Sequence, residues 1–196
     1  RGDGKSGSTN SFIDEDGNTK MLGWKYLRTQ NRFDIYRNER YIPMGYTFDK
    51  FIAEEEFDFV PSAHKSEALL YAMILPRDLM KKYSSITGYS DKKYKLLYGK
   101  HPEYYDSITE TFSYDNSDYK KVCAQRAYNS CSSFEYTDNG FRAEYDNTKG
   151  DDNLLFFSVP YSEGFAATVN GKATDVEKVD YGFIAVKIPK GEKCDI

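Results

Sequence analysis

FEYTDNGFRAEYDNTKGDDNLLFFSVP, residues 134–160, decides the fold class of this chain. Phe134 and Tyr136 alternate with polar residues, Asp138-Asn139-Gly140 follows, and Phe141, Ala143 and Tyr145 alternate again. Side chains of a strand point to opposite faces in turn, so each run presents one apolar face. The Asn-Gly pair between them suits a tight hairpin turn whose central residues take positive φ. Leu154 to Val159 is different. It is almost continuously apolar, which predicts a strand covered on both faces.

Working outward toward the C-terminus, Phe165 to Val169 leads into a second Asn-Gly pair, Asn170-Gly171. Strands are predicted at 173–179 and 183–188, joined near Asp180-Tyr181-Gly182, and Pro189-Lys190-Gly191 makes the last turn. Short strands at this spacing, broken by such turns, point to an antiparallel β-sandwich, jelly-roll-like, as the organising element of an α+β fold.

Toward the N-terminus, Trp24-Lys25-Tyr26-Leu27 and Phe33-Asp34-Ile35-Tyr36 flank the polar Thr29-Gln30-Asn31-Arg32, the pattern of a hairpin. Tyr41 to Phe48 reads as extended around Pro43. The middle is helical. Ser62 can cap a helix in which Leu69 with Met73 and Leu70 with Ile74 follow i, i+4 spacing. Pro76 ends it and can open a shorter helix through Tyr83. A later helix begins at Ser117 and places Tyr119, Val122, Cys123 and Arg126 on one face, while 84–116 has no clear period. The organisation read from this is a linker over 1–20, rich in Gly, Ser, Asp and Asn, then sandwich strands over 21–52. A mostly helical insertion follows over 53–130, its clearest part at 53–83, and the C-terminal sandwich strands occupy 131–196.

Lys and Arg number 27 against 31 Asp and Glu, a net charge of −4 with both signs dispersed along the chain. That argues against a nucleic-acid binder, which needs a clustered basic face. Cys123, Cys131 and Cys194 are too few for a disulfide framework, and free thiols fit the apolar helix position of Cys123 better than a Cys123–Cys131 pair. Without a Cys-x-x-Cys or a Cys/His cluster, neither a structural metal nor a cofactor is expected. His64 and His101 lie in no recognisable catalytic motif. Glu54-Glu55-Glu56 and Asp151-Asp152 read as solvated charge runs rather than a catalytic carboxylate pair. No catalytic residue is therefore expected in this chain, and the Arg-Gly-Asp at its start is discounted.

Aromatic content is the unusual quantity: 18 Tyr and 13 Phe against one Trp. Most tyrosines of a β protein pack on half-buried sheets. Aromatics exposed on a sandwich beside Asn and Asp can also stack on sugar faces. Trp24, Tyr161 and Phe165 are the candidates for such a platform, with Asn170 as a polar partner.

Leu155-Phe156-Phe157-Ser158-Val159-Pro160-Tyr161, Gly164-Phe165, Val169-Asn170-Gly171-Lys172, Gly182-Phe183-Ile184-Ala185-Val186 and Pro189-Lys190-Gly191 together resemble the C-terminal extracytoplasmic region of the YfhO family of bacterial membrane proteins. Phe33 to Asn38 and Tyr41 to Asp49 resemble the same family upstream, so the likeness runs from about Met21 to Ile196. It implies a parent with many membrane helices, related to glycosyltransferases that use lipid-linked sugar donors. In Gram-positive bacteria such proteins are associated with glycosylating cell-surface polymers of the teichoic-acid type. The catalytic acid is expected elsewhere in the parent, so this region is itself non-catalytic, with a cell-surface glycan or polymer as its partner. The family often carries Trp where Phe165 stands. The resemblance also implies that the chain, which starts at Arg1 without a Met and stops in an extended pattern, is part of a longer protein. It would be joined to the cell membrane by flanking helices. Two alternatives stay open: a purely structural or interaction domain, and a carbohydrate-binding module of an unrelated secreted enzyme.

Overall fold

The computed structural model describes residues 19–21, 23–58, 60, 62, 65–83 and 116–196. The expectations for 1–18 and 84–115 lie outside them. The chain forms two compact units, residues 1–41 and 42–196.

The first unit is a hairpin of β1 (Trp24–Gln30) and β2 (Phe33–Asn38). Its strands are longer than the apolar runs suggest, because Thr29 and Gln30 pair with Asp34 and Phe33. The turn is only Asn31-Arg32, both at positive φ (51° and 68°). That backbone matches the twist of a two-residue hairpin.

In the second unit β3 (Tyr46–Thr47) and β4 (Phe51–Ala53) are followed by α1 (Glu54–Phe57), α2 (Lys65–Tyr71) and β5 (Met73–Leu75). Then come α3 (Arg77–Lys82) and α4 (Asn116–Tyr128). The remaining strands are β6 (Ser133–Thr137), β7 (Gly140–Asp146), β8 (Asn153–Pro160), β9 (Ala167–Val169), β10 (Lys172–Thr174), β11 (Val176–Val179), β12 (Phe183–Ile188) and β13 (Lys193–Asp195). Two antiparallel sheets face each other, one in the order β11-β12-β8-β3 and one in the order β13-β7-β6. Leu155 and Phe157 of β8, with Ile184, Val186 and Ile188 of β12, meet Ala143 and Tyr145 of β7 and Cys194 of β13 between the sheets. The alternate residues Leu154, Phe156 and Ala185 pack on the other side against Phe48, Phe51, Met73, Leu75 and Leu79. The apolar run of β8 is thus covered on both faces, and the fold is an α+β sandwich with a helical insertion.

Two local expectations are corrected. Met73 and Ile74 do not continue the helix, which ends at Tyr71. They belong to β5, parallel to β4, with Phe51 opposite Met73 and Ile52 opposite Ile74. The i, i+4 spacing was real, but Met73 and Leu75 face one core and Ile74 the other, an alternation that short apolar runs share with helices. At the β6–β7 turn, the central residues are Asp138 and Asn139, with Thr137 paired to Gly140, and neither takes positive φ. The Asn170-Gly171 turn does, at 54° and 74°. In α4, Val122, Cys123 and Arg126 are buried, as their spacing predicts. All three cysteines are buried.

Arg126 is 2% exposed and ties the insertion together. Its guanidinium donates to the carbonyls of Leu70 (3.3 Å), Tyr71 (2.7 Å) and Thr47 (3.3 Å) and to Asp49 Oδ1 (3.0 Å). It also lies 4.5 Å from the Phe48 ring centre. The last carbonyls of a helix lack intrahelical partners, and α2 has no basic residue in its last turn. Arg126 caps it from another helix and meets the negative end of its dipole.

Gly45 sets the approach of β3 to the core. It has φ 77°, and a Cβ there would stand 2.5 Å from Cys131 Sγ and 2.7 Å from Phe157 Cε1. Gly45→Ala is expected to lower the unfolding free energy by about 2–4 kcal/mol, the combined cost of left-handed backbone and overpacking. Gly182 has open space around it, and Gly182→Ala should stay within about 0.5 kcal/mol of the parent. Arg126→Met, which strands three carbonyls, should cost about 3–5 kcal/mol. Urea denaturation of the three variants checks all of this.

Candidate ligand cleft

One opening in the sandwich unit lies where its two sheets part, beyond the end of β13. There a cleft of about 800 Å³ is lined by the β6–β7 turn, the start of β7, residues 165–168, and Val176, Ile184, Val186, Asp195 and Ile196. Its floor is apolar because Ile184 and Val186 belong to the buried core, with Phe141 and Phe165 packed against that core at the rim. Asp138 and Asn139 of the β6–β7 turn border the same space, whereas Arg142 and Thr168, next to the inward-facing Phe141 and Val169, turn their side chains to the outer faces and border it through backbone.

Backbone groups add to them. Ala143 and Ile196 exchange both of their hydrogen bonds, at 3.0 and 2.9 Å. Successive residues of an antiparallel strand turn their N–H and C=O to opposite sides, so Phe141 turns its pair to the same edge, into the cleft. On the far side Val169 pairs with Lys172 across the tight turn, so Thr168 turns its backbone away from β10, toward the cleft. An apolar floor with a few convergent donors and acceptors is the general form of a small-ligand site.

The four residues singled out from the sequence are distributed unequally. Phe165 lines the cleft, half-buried. Tyr161 is half-buried against the same core, and its backbone N–H bonds to the Gly182 carbonyl at 2.8 Å. Asn170 is exposed, and its side chain is fully engaged: Nδ2 donates to Glu192 Oε2 (3.0 Å) and the Lys193 carbonyl (2.8 Å), and Oδ1 accepts from the Asp195 N–H (2.9 Å). It pins the β9–β10 hairpin to β13 and lines a separate hollow beside Lys193. Trp24 stands half-buried on β1 of the other unit. Phe141, Arg142 and Thr168 were not singled out. The alternation around the first hairpin marks Phe141 as inward-facing, but which inward residue lies at an open end depends on how the sheets splay.

The carboxylate runs have structural partners. Glu55 meets Arg77 at 3.0 Å, and Asp151 and Asp152 both bind Lys190, through its ammonium and its backbone N–H. A tighter group forms at the end of α3, where Lys82 bridges Asp175 (3.3 Å) and Glu177 (2.6 Å). The Tyr83 hydroxyl donates to Glu177 as well. Burial and this bond hold the Tyr83 phenol well above its ordinary range, which makes it a fixed donor that latches α3 to β11.

Asp180 is the other buried carboxylate, 8% exposed. At φ 47° it bonds Ile74 twice: its Oδ1 accepts from the Ile74 N–H at 2.6 Å, and its own N–H donates to the Ile74 carbonyl at 2.9 Å. Burial pushes its carboxyl up to about 7, against the opposing pull of the Ile74 N–H. Burial likewise raises the Cys131 thiol to about 12 and the Cys194 thiol to about 11, which keeps both protonated and unreactive.

Comparison with known proteins gives one family. The model described as bacterial membrane protein YfhO matches residues 95–194. That span holds the cleft-lining residues except Asp195 and Ile196, whereas Phe33 to Asn38 and Tyr41 to Asp49 lie outside it. No curated protein and no solved structure matches the chain.

The Asp180 environment has a measurable consequence. A carboxyl whose folded value is raised stabilises the fold when it is protonated in both states. That contribution is full below about 4, declines as pH rises, and is gone above about 7. Asn keeps the acceptor for Ile74 and tolerates the left-handed backbone. Asp180→Asn should therefore match the parent at acid pH and exceed it above neutrality by on the order of a few kcal/mol. Melting curves of the pair across this range test it; a constant difference would show that Asp180 does not titrate there.

Proposed function

Because the chain belongs to the bacterial membrane protein YfhO family, we propose that it is a non-catalytic extracytoplasmic domain of a glycosyltransferase-like membrane protein. In this reading it presents a cell-surface glycan or polymer of the teichoic-acid type to the membrane-embedded part of its parent. Among the described residues no helix is long and apolar enough to cross a membrane, so the anchoring segments would be supplied by other parts of that parent.

The observation that carries the reading is the cleft with Phe165 at its rim. Sugars present apolar C–H faces and a ring of hydroxyls, and an aromatic beside backbone and side-chain polar groups meets both. Phe165 and Phe141 supply the stacking faces, and Asp138, Asn139 and the edge groups of Phe141 and Thr168 supply hydrogen bonds. Catalysis is assigned to the parent, since the described acidic pairs are spent on structural partners.

A second reading, a purely structural domain, is favoured by one observation. Asn170 devotes its whole side chain to holding two strands together, so it has nothing to offer a sugar. On that reading the cleft residues act in packing alone.

Titration calorimetry with teichoic-acid fragments separates the two. Glycan binding predicts millimolar or tighter affinity that falls about tenfold in Phe165→Ala, as expected for a lost stacking face. Phe165→Trp, with the larger ring, should bind several-fold tighter. If no fragment binds at millimolar concentration, the domain is structural.

A further inference from the structure

The β1–β2 hairpin carries charge opposite to that of the chain. Between Lys20 and Tyr41 six Lys and Arg stand against two Asp and Glu, a net +4 in a chain whose net charge is −4. The strand register sorts these residues by face. Trp24 pairs with Asn38, Tyr26 with Tyr36 and Thr29 with Asp34, and the Tyr26 and Tyr36 rings touch edge to face at 5.8 Å. Those residues share one face, further tied by hydrogen bonds from Thr29 to Asp34 (2.6 Å) and between Thr29 and Tyr26 (2.8 Å).

The opposite face holds Lys25 with Arg37, Arg28 with Ile35, and Gln30 with Phe33. A register shift between Tyr26 and Arg28 leaves Leu27 without a partner in the ladder, and this bulge brings Arg28 onto the basic face rather than the tyrosine face. Phe33 is 74% exposed and Leu27 45%. Arg32 at the turn extends the charge. A two-stranded hairpin is marginal in water without something against it, yet this face offers apolar groups and cations to solvent.

We propose that this face docks on an anionic lipid bilayer surface, with Lys25, Arg28, Arg32 and Arg37 against headgroup phosphates and Phe33 seated at the acyl boundary. Two properties of the hairpin favour lipid over a protein partner. Its cations are dispersed around the apolar residues instead of being matched to fixed acidic positions, since among the described residues Arg37 alone of the four pairs with a carboxylate, Glu39 at 2.9 Å. A basic face with an aromatic at its tip is also the composition of interfacial anchors. Membership in a membrane-protein family keeps a bilayer close to the domain. The inference concerns the first unit alone and does not depend on the cleft binding glycan.

The test uses the whole chain and vesicles of mixed phosphatidylglycerol and phosphatidylcholine, with pure phosphatidylcholine as the control. Flotation with the anionic vesicles and not with the neutral ones is expected, and high salt should reverse it. Each of Lys25→Gln, Arg28→Gln and Arg32→Gln should weaken binding about fivefold, and Phe33→Ser by a similar factor, whereas Phe33→Leu retains it. Trp24 is the sole Trp and lies on the tyrosine face, so its emission should escape quenching by brominated lipid. In Phe33→Trp a second, quenchable emission should appear. Failure to float with anionic vesicles overturns the proposal. So does quenching of Trp24 in place of Phe33→Trp, which would put the other face on the membrane. Binding of soluble polyphosphate as strong as that of vesicles, with no effect of Phe33→Ser, would make the face a polyanion site and overturn it equally. These substitutions are at exposed positions, and an unchanged melting temperature separates lost binding from lost folding.

Discussion

The constraint on which the rest of the molecule depends is that β8 must be dry on both faces. Leu155 and Phe157 point into the space between the sheets, and Leu154 and Phe156 point away from it. A sheet built around such a strand cannot leave one face to solvent, as antiparallel sheets commonly do. It needs a layer on each side. The β13-β7-β6 sheet provides one, and β4, β5 and α3 provide the other. The insertion is therefore structural, the cover for the second face of the central sheet.

A cover made of short helices and two short parallel strands has many helix ends and few long ladders to hold it. Arg126 answers that problem by placing a charge where free carbonyls converge, joining α4 to the end of α2 and to β3. Asp180 does comparable work from the sandwich side, since both its bonds to Ile74 fasten β5 to the turn after β11. Burying a charge is costly unless it is well bonded, and these two sites are bonded mainly through backbone groups. The polar centres of the fold are seams between layers.

The proposed functional surfaces fall where this layering ends. The cleft opens where the two sheets separate and strand edges are left with outward backbone groups, so its chemistry comes from position as much as from residue type. The hairpin belongs to the first unit and is basic where the chain is acidic. The cleft is proposed for a glycan and the hairpin for an anionic bilayer.

What the sequence by itself determined was whatever depends on local pattern. Period-two alternation marked the C-terminal strands, the unbroken apolar run marked β8 as doubly buried, Asn170-Gly171 marked a turn that needs positive φ, and the family motifs lay along those same strands. Only the tertiary structure decided the rest. Met73 and Ile74 have a spacing that suits either a helix or a buried strand, and pairing with β4 resolved it. The β6–β7 turn closed on Asp138-Asn139 because the Thr137–Gly140 pair set its register. Trp24, Tyr161, Phe165 and Asn170 looked alike as aromatic and polar neighbours in sequence, yet they serve in a separate hairpin, a packed edge, a cleft rim and a strand clamp. The reason is physical: periodicity tells which side of an element a residue occupies, and only the packing of elements tells whether that side meets core, cleft or water.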